Sequence, residues 1–95
     1  MRNYELAVVL FPTLSEEEKT NTLDKVKELI ARFGGEVTNV DDWGKKKLSY
    51  EIKKQREGFY YFIQFKADAS APAEIESRVR ISEQVLRYLI VAVED

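Results

Sequence analysis

The feature that most constrains the fold is the repeated change of apolar periodicity along a chain of only 95 residues. Residues 4–11 are almost continuously apolar, as in a central strand that is covered over most of its surface. Residues 15–33 instead repeat apolar side chains at intervals of three and four, which is typical of one face of a helix. Both patterns return later, and together they predict the order strand, helix, strand, strand, helix, strand.

Capping residues mark the ends of the first predicted helix. Ser15 and, three residues later, Glu18 form a capping-box pattern, so this helix is expected to begin at Ser15. The glycine pair at 34–35 can adopt the left-handed conformation that ends a helix, which places its end near Phe33.

The middle of the chain predicts a hairpin of two long strands. Residues 36–53 read as one strand with a bend at Gly44. A turn at residues 55–58 then leads into a second strand over residues 59–66, which is apolar on both faces.

The last part of the chain completes the pattern. Ser70 and Pro72 predict a short helix that ends near Arg80, and residues 85–93 form the last strand. Right-handed crossovers would place both helices on one face of a four-stranded antiparallel sheet. We therefore predict a single α+β domain over residues 1–95, with the ferredoxin-like βαββαβ arrangement. The other sheet face has no helix to cover it and must meet solvent, RNA or another protein.

The composition excludes most enzyme chemistry. The chain has no Cys and no His, which removes thiol nucleophiles, common zinc sites and the usual proton shuttle. Phosphate-binding glycine motifs do not occur, and the neighbouring acids Asp41 and Asp42 would point to opposite faces of a strand. An acylphosphatase-like hydrolase would need an arginine and amide-rich loop where residues 11–15 have neither Arg nor Asn. We expect no catalysis, no cofactor and no metal.

No sequence feature predicts a membrane location. The first residues do not form the apolar core of a signal peptide, and no stretch approaches the roughly 20 apolar residues that span a bilayer. We therefore expect a cytoplasmic protein.

Positive charge is concentrated in the segment 44–56. Six cations and the single anion Glu51 give it a local charge of +5, whereas the whole chain carries −2 and the remaining residues therefore sum to −7. Such a segregated charge favours docking of a polyanion in one orientation. The alternative is a solvated hairpin tip. The cations are Lys45, Lys46, Lys47, Lys53, Lys54 and Arg56.

The aromatic run over residues 59–65 has two interpretations. Residues 56–64 are only poorly similar to the RNP1 motif of RNA-binding sheets, because Glu57, Tyr60 and Gln64 replace a cation, a small residue and an aromatic one. Alternatively, half of the run packs against the helices, and the rest forms an apolar strip on the open face that suits a protein partner.

Among the cations outside the hairpin, two are candidate contacts: Arg2 in the first strand and Arg87 in the last. The predicted topology pairs these strands, so Arg2 could approach Arg87 on one face. Arginine suits bidentate contacts to phosphates or base edges.

Three segments of the chain match a known family pattern: residues 1–5, residues 41–53 and residues 80–87. They resemble the bacterial small-subunit ribosomal protein S6 family, and the similarity extends over about residues 1–93. The middle segment is the most specific, with glycine, a basic pair, leucine, a small residue, tyrosine, any residue, isoleucine and a polar or basic residue. Lys47 departs mildly, since family members more often carry Arg or Gln there.

The resemblance implies a non-catalytic assembly protein of the small ribosomal subunit. It would bind the central domain of the ribosomal RNA as a heterodimer with ribosomal protein S18, and its fold would agree with the one predicted above. Some family members carry a long charged tail, and because this sequence ends at Asp95 we expect no tail function. The alternative is a free-standing ferredoxin-like domain that binds a protein or a small ligand.

The resemblance and the charge pattern together give two sets of candidate residues. The expected RNA contacts are Arg2, Tyr4, Lys45, Lys46, Lys47, Lys53, Lys54, Arg56 and Arg87. The expected partner contacts are Tyr50, Tyr60, Phe62, Leu89 and Val91.

Overall fold

A computed structural model describes residues 1–93 and contains four strands and two helices. The elements are β1 (Arg2–Leu10), α1 (Glu16–Arg32), β2 (Glu36–Ile52), β3 (Gln55–Ala67), α2 (Ala71–Val79) and β4 (Val85–Val93).

The four strands form one antiparallel sheet in the order β2-β3-β1-β4. β1 is central and pairs with β3 along its whole length, from Arg2 opposite Ala67 to Leu10 opposite Phe59. β2 and β4 are the edge strands. This topology confirms the predicted ferredoxin-like arrangement; the prediction of one domain over residues 1–95 includes two residues that lie outside the described part.

The core lies between the sheet and the two helices. Alternate residues of each strand face the helices, so the even-numbered positions of β1 pack with the odd-numbered positions of β3. Val26 and Ile30 of α1 and Ile75 and Val79 of α2 close this layer from above. Because both helices contribute to the same core, the opposite face of the sheet has no helix on it.

The start of α1 is the capping box that the sequence predicts. The Glu18 amide donates to Ser15 Oγ at 3.2 Å, and the Ser15 amide donates to Glu18 Oε1 at 3.0 Å. The predicted bounds of β4 are also confirmed. The bend in β2 occurs where expected: Gly44 has φ +71°, and its amide donates to Asp42 Oδ1 at 2.8 Å.

The predicted position of the hairpin turn is wrong. Ile52 pairs with Gln55, so the turn consists of Lys53 and Lys54, and residues 55–58 already belong to β3. Gly58 suggested a turn, but a glycine is needed there because β1 lies too close for a side chain. A Cβ at Gly58 would lie 2.5 Å from Val9 Cγ1 and 2.9 Å from the Leu10 carbonyl oxygen.

Candidate nucleic-acid interface

The hairpin turn projects two lysines from the end of β2 and β3. Lys53 has φ +48° and Lys54 has φ +66°, the two left-handed residues of a type I′ turn. Such turns usually carry Asn and Gly, because a side chain with a Cβ costs energy in this conformation. The chain therefore places two cations at its tip at some cost in stability.

The three consecutive lysines of β2 do not form one patch. Lys45 lies opposite Phe59, with its Nζ 5.3 Å from the centre of that ring, on the face that carries the helices. Lys46 lies opposite Gly58 and therefore belongs to the other face. The two faces of the hairpin thus both carry positive charge.

Few of these hairpin cations are neutralised by the protein itself. Arg56 Nε lies 3.6 Å from Glu51 Oε2, and both groups are exposed. The other ion pair among residues 1–93 joins Lys19 to Glu16 on α1. The five lysines of the hairpin make no ion pair within the described part of the chain, so their charge is available to a polyanion.

Arg87 joins the hairpin from the opposite edge of the sheet. Its Nη1 donates to the Tyr50 hydroxyl at 3.1 Å, and its guanidinium carbon lies 5.7 Å from the centre of the Tyr50 ring. Arg87 is on β4, whereas Tyr50 is on β2, at the other edge. The far end of the hairpin therefore curves over the end of β1 and reaches β4.

An irregularity in β2 makes this reach possible. Lys47 pairs with Glu57, but Ile52 pairs with Gln55, so five residue steps along β2 oppose two along β3. Residues 48–51 therefore face only Arg56, and this excess of three residues bulges out of the ladder and redirects Tyr50.

Next to the cations of segment 44–56, the open face of the sheet carries an apolar strip that crosses all four strands. Phe62 lies opposite Ala7, and Ala7 lies opposite Leu89. Trp43 extends the strip at the β2 edge, with its ring centre 4.6 Å from that of Phe62. Trp43 and Leu89 are both more than half exposed, at 57% and 56%. We call these four residues the apolar strip.

A row of polar side chains borders the apolar strip. Gln64 Nε2 donates to Glu5 Oε2 at 2.6 Å, and Asn39 Nδ2 donates to Gln64 Oε1 at 3.0 Å and to Asp41 Oδ1 at 3.1 Å. The hydrogen bonds link β2, β3 and β1 side by side. These hydrogen bonds hold the polar side chains in fixed orientations, and the polar row forms one border of the apolar strip.

The predicted partner contacts are divided by the structure. Tyr60 and Phe62 of β3 and Leu89 and Val91 of β4 all belong to the open face, in or next to the apolar strip. Tyr50 is instead part of the curved hairpin, among the cations.

Two predicted RNA contacts, Arg2 and Tyr4, lie far from the cations of segment 44–56. Tyr4 is 7% exposed and stacks on Phe65 in the core at a centroid distance of 5.6 Å, so its ring is unavailable to a base. Arg2 is exposed at the start of β1, but Arg87 lies opposite Val9 near the other end, roughly 24 Å away at about 3.4 Å per residue. The expected approach of Arg2 to Arg87 is therefore wrong.

Only alternate residues of the aromatic run in β3 belong to the core. Phe59, Tyr61, Ile63 and Phe65 face the helices, and burial raises the pKa of the Tyr61 hydroxyl. Lys19 of α1 covers the Phe59 ring at 3.8 Å. Stacking of RNA bases on successive aromatics, as in an RNP1 strand, is therefore restricted to Tyr60 and Phe62.

Trp43 is the functional candidate that the sequence reasoning missed. It lies between Asp42 and Gly44 within a polar segment, where the strand pattern is weak. A large aromatic residue among acids, just before a glycine bend, was the available signal, since such a residue has little to pack against within its own strand.

Fold and surface together define a ferredoxin-like protein that presents a cationic hairpin beside an uncovered apolar sheet face. No three His, Cys, Asp or Glu residues within positions 1–93 are arranged to hold a metal ion. Neither of the helices described is long and apolar enough to cross a membrane.

Comparison with known proteins identifies the family. The sequence profile described as ribosomal protein S6 matches residues 3–92. The small ribosomal subunit protein bS6 of Caldanaerobacter subterraneus subsp. tengcongensis is 45% identical over 95 residues, covering all of both chains. That of Moorella thermoacetica is 44% identical, over all of this chain and 97% of its own length.

A solved structure agrees with this assignment. The crystal structure of 30S ribosomal protein S6 from Thermotoga maritima has a TM-score of 0.92 at 32% identity, covering 97% of this chain and 87% of that one. The chain belongs to the ribosomal protein S6 family. It is a structural protein of the small ribosomal subunit in the cytoplasm and binds ribosomal RNA there.

Proposed function

We propose that this protein binds the central domain of small-subunit ribosomal RNA as a heterodimer with ribosomal protein S18, and that it thereby aids assembly of the subunit. The observation that supports this proposal is the contrast between the cationic end of the hairpin, which carries charge on both faces, and the adjacent apolar strip on the open face. Each surface suits a different class of partner.

The hairpin is the proposed RNA contact. Its lysines are exposed and make no ion pair within residues 1–93, while the rest of the chain sums to −7. Contacts between these cations and phosphates would release counterions, so affinity should fall steeply with salt. Arg87 adds a cation that the bond to Tyr50 already holds against the hairpin.

The apolar strip is the proposed S18 contact. Trp43, Phe62 and Leu89 leave large apolar areas in water, which a protein partner would bury. Tyr60 and Val91 flank the strip and extend the contact. Arg2, at the start of β1, is a separate proposed RNA contact at the opposite end of this central strand from Arg87.

The net charge supports the proposal that a partner strengthens RNA binding. With a total charge of −2, the isolated chain has weak general attraction for RNA, and only one orientation is favourable. A partner with basic surface would add phosphate contacts and hold both proteins on one RNA. The second binding event then becomes intramolecular, which raises overall affinity without new contacts on this chain.

A titration of a central-domain RNA fragment tests the proposal. The fragment is titrated with the chain alone, with S18 alone and with both proteins at several salt concentrations. We expect weak binding by the chain alone, tight binding by the pair, and a logarithmic salt slope of several units for the pair. Equal affinity with and without S18 would contradict the heterodimer.

Two matched sets of variants separate the two surfaces. Replacing Lys45, Lys46 and Lys47 by Gln should weaken RNA binding and lower the salt slope by about 2 to 3, because each phosphate that a lysine no longer neutralises lowers it by roughly one. Its control carries the same charge change on exposed α1 residues: Lys25→Gln, Lys27→Gln and Arg32→Gln. Leu89→Asp should abolish S18 binding, and Ile81→Asp, at a site 75% exposed outside the open face, should not.

A further inference from the structure

Tyr50 lies at the edge of a shallow hollow of about 540 Å³ in the curved end of the hairpin. This volume is within the range of sites for small organic groups and has room for one nucleoside. The hollow is lined by Lys47, Leu48, Tyr50, Glu51, Arg56 and Glu57.

The Tyr50 ring is exposed but held in place. It is 59% exposed, which is high for so large an apolar ring, and it packs against little on its outer side. Its hydroxyl nevertheless accepts the hydrogen bond from Arg87 at 3.1 Å, across the end of the sheet. A ring that is already oriented loses little entropy on binding a flat ligand, which favours its use as a binding surface.

The charges around the ring suit a base with its flanking phosphates better than a lone anion. Lys47, Arg56 and Arg87 are positive, but Glu51 and Glu57 also line the hollow, and Glu51 pairs with Arg56 at 3.6 Å. Carboxylates repel a phosphate at the centre of the site, whereas they accept hydrogen bonds from the amino groups of bases. The cations remain for phosphates on either side.

The surroundings of Tyr50 favour RNA over a protein partner. The ring has the cations Lys47, Arg56 and Arg87 around it, so a partner protein with a basic surface would be repelled there. Stacking of unpaired bases on exposed aromatic rings beside cations is a general mode of single-strand recognition.

We propose that Tyr50 is a stacking platform for one unpaired base of the ribosomal RNA, with Lys47, Arg56 and Arg87 contacting its flanking phosphates. This inference rests on the proposed function, because it requires that the hairpin contacts RNA. It assigns Tyr50 to RNA and removes it from the partner contacts that the sequence predicted.

The first test measures RNA affinity of the S18 heterodimer with variants at this position. Tyr50→Leu removes the ring, and we expect affinity for the central-domain fragment to fall about tenfold to a hundredfold, the usual effect of removing one base-stacking ring. Tyr50→Phe keeps the ring and should weaken binding by less than about threefold. Ile81→Ala is the control for removal of an exposed apolar side chain outside both proposed binding surfaces. Thermal melts check that each variant is folded.

The second test detects stacking directly. The chain has a single Trp, so the double variant Trp43→Phe with Tyr50→Trp reports from position 50 alone. We expect its fluorescence to be quenched when RNA binds the heterodimer, in parallel with the binding curve. The unmodified protein, whose only Trp is at position 43, should show no matching quench from base contact.

The outcomes distinguish this inference from the proposed function. If Tyr50→Leu binds RNA like the unmodified protein while the triple lysine variant is weakened, the stacking inference is wrong and the proposed function stands. If Tyr50→Leu no longer binds S18 but the chain's contacts to RNA are unchanged, Tyr50 belongs to the protein interface and the inference is overturned. If neither the unmodified pair nor any variant binds the fragment, the proposed function fails as well.

Discussion

The two faces of the sheet come from the same four strands but differ in what they contribute. On the helix side, Phe65 is 1% exposed and Leu6 and Ile63 are fully buried. On the open side, Phe62 is half-buried and Trp43 and Leu89 are mostly exposed. The comparison shows that one layer of helices is enough to hold the fold, which leaves the second face free to carry binding residues.

The largest expected difference between the two faces comes from truncating one aromatic residue on each face of β3. Phe65→Ala should lower the free energy of unfolding by about 3–5 kcal/mol, because it leaves a cavity in a closed core. Phe62→Ala should cost much less, since its ring already meets water and the strip can adjust. Urea unfolding of both variants measures the difference, and equal effects would mean that the open face also holds the fold.

The second prediction concerns Gly58, where β3 approaches β1 closely on the open face. A Cβ at this position would overlap Val9 Cγ1 and the Leu10 carbonyl oxygen, so Gly58→Ala should cost about 1–3 kcal/mol of stability through displaced backbone. Gly44→Ala is the control, since nothing lies within 4 Å of its added Cβ and only the left-handed φ of +71° is strained. Thermal unfolding should rank Gly58→Ala as the more harmful; the reverse order would remove the close approach as its reason.

The third prediction concerns the hairpin turn, where stability and RNA binding should change in opposite directions. Replacing Lys53 by Asn and Lys54 by Gly supplies the residues that a type I′ turn prefers, so stability should rise by about 1–2 kcal/mol. The same change removes two cations and should weaken RNA binding. Urea unfolding and RNA titration of one variant measure both effects. A turn variant that gains no stability would show that the left-handed lysines are not strained.

The smallest expected effect concerns acid stability on the helix side. The hydrogen bond from the Ser15 amide lowers the pKa of the Glu18 carboxyl below its usual value of 4.5. A lowered folded pKa means that the ionised cap stabilises the protein above about pH 4.5, and that this contribution is lost as pH falls through the folded pKa. Glu18→Gln should therefore flatten the acid part of the stability curve.

Glu17→Gln, in the same helical turn, is the matched control for that measurement. It removes the same charge without touching the capping box. Denaturation midpoints between pH 3 and 6, a range of roughly 1.5 units on each side of the ordinary carboxyl value, compare the two. Identical curves for both variants would show that the cap does not depend on the ionised Glu18.

Local signals were enough to predict most of the fold. Ser15 and Glu18 mark a helix start through bonds within four residues, and the apolar run of β4 has the same bounds in sequence and structure. The bend at Gly44 also follows from a local requirement for a left-handed residue. These features depend on neighbours in the chain, which a sequence displays directly.

The candidate site was less predictable because its geometry is not local. The contact between Tyr50 and Arg87 depends on extra residues in β2 that bend the hairpin over the end of β1. Gly58 marks a contact with Val9 across the sheet, although in sequence it resembles a turn residue. Tyr4 matched a family contact by position, but the strand register places its ring in the core. Each of these features depends on residues that are distant in sequence.

The position of β4 at the sheet edge has a consequence for the protein before it is assembled. This strand reads Val-Leu-Arg-Tyr-Leu-Ile-Val-Ala-Val, with Arg87 as its single charge, and its outer backbone groups have no strand beside them within residues 1–93. Edge strands that lack charges or prolines are templates for pairing with other chains. We therefore expect that copies made in excess of their binding partners would pair through β4, so the exposed edge links the amount of unassembled protein to its tendency to self-associate.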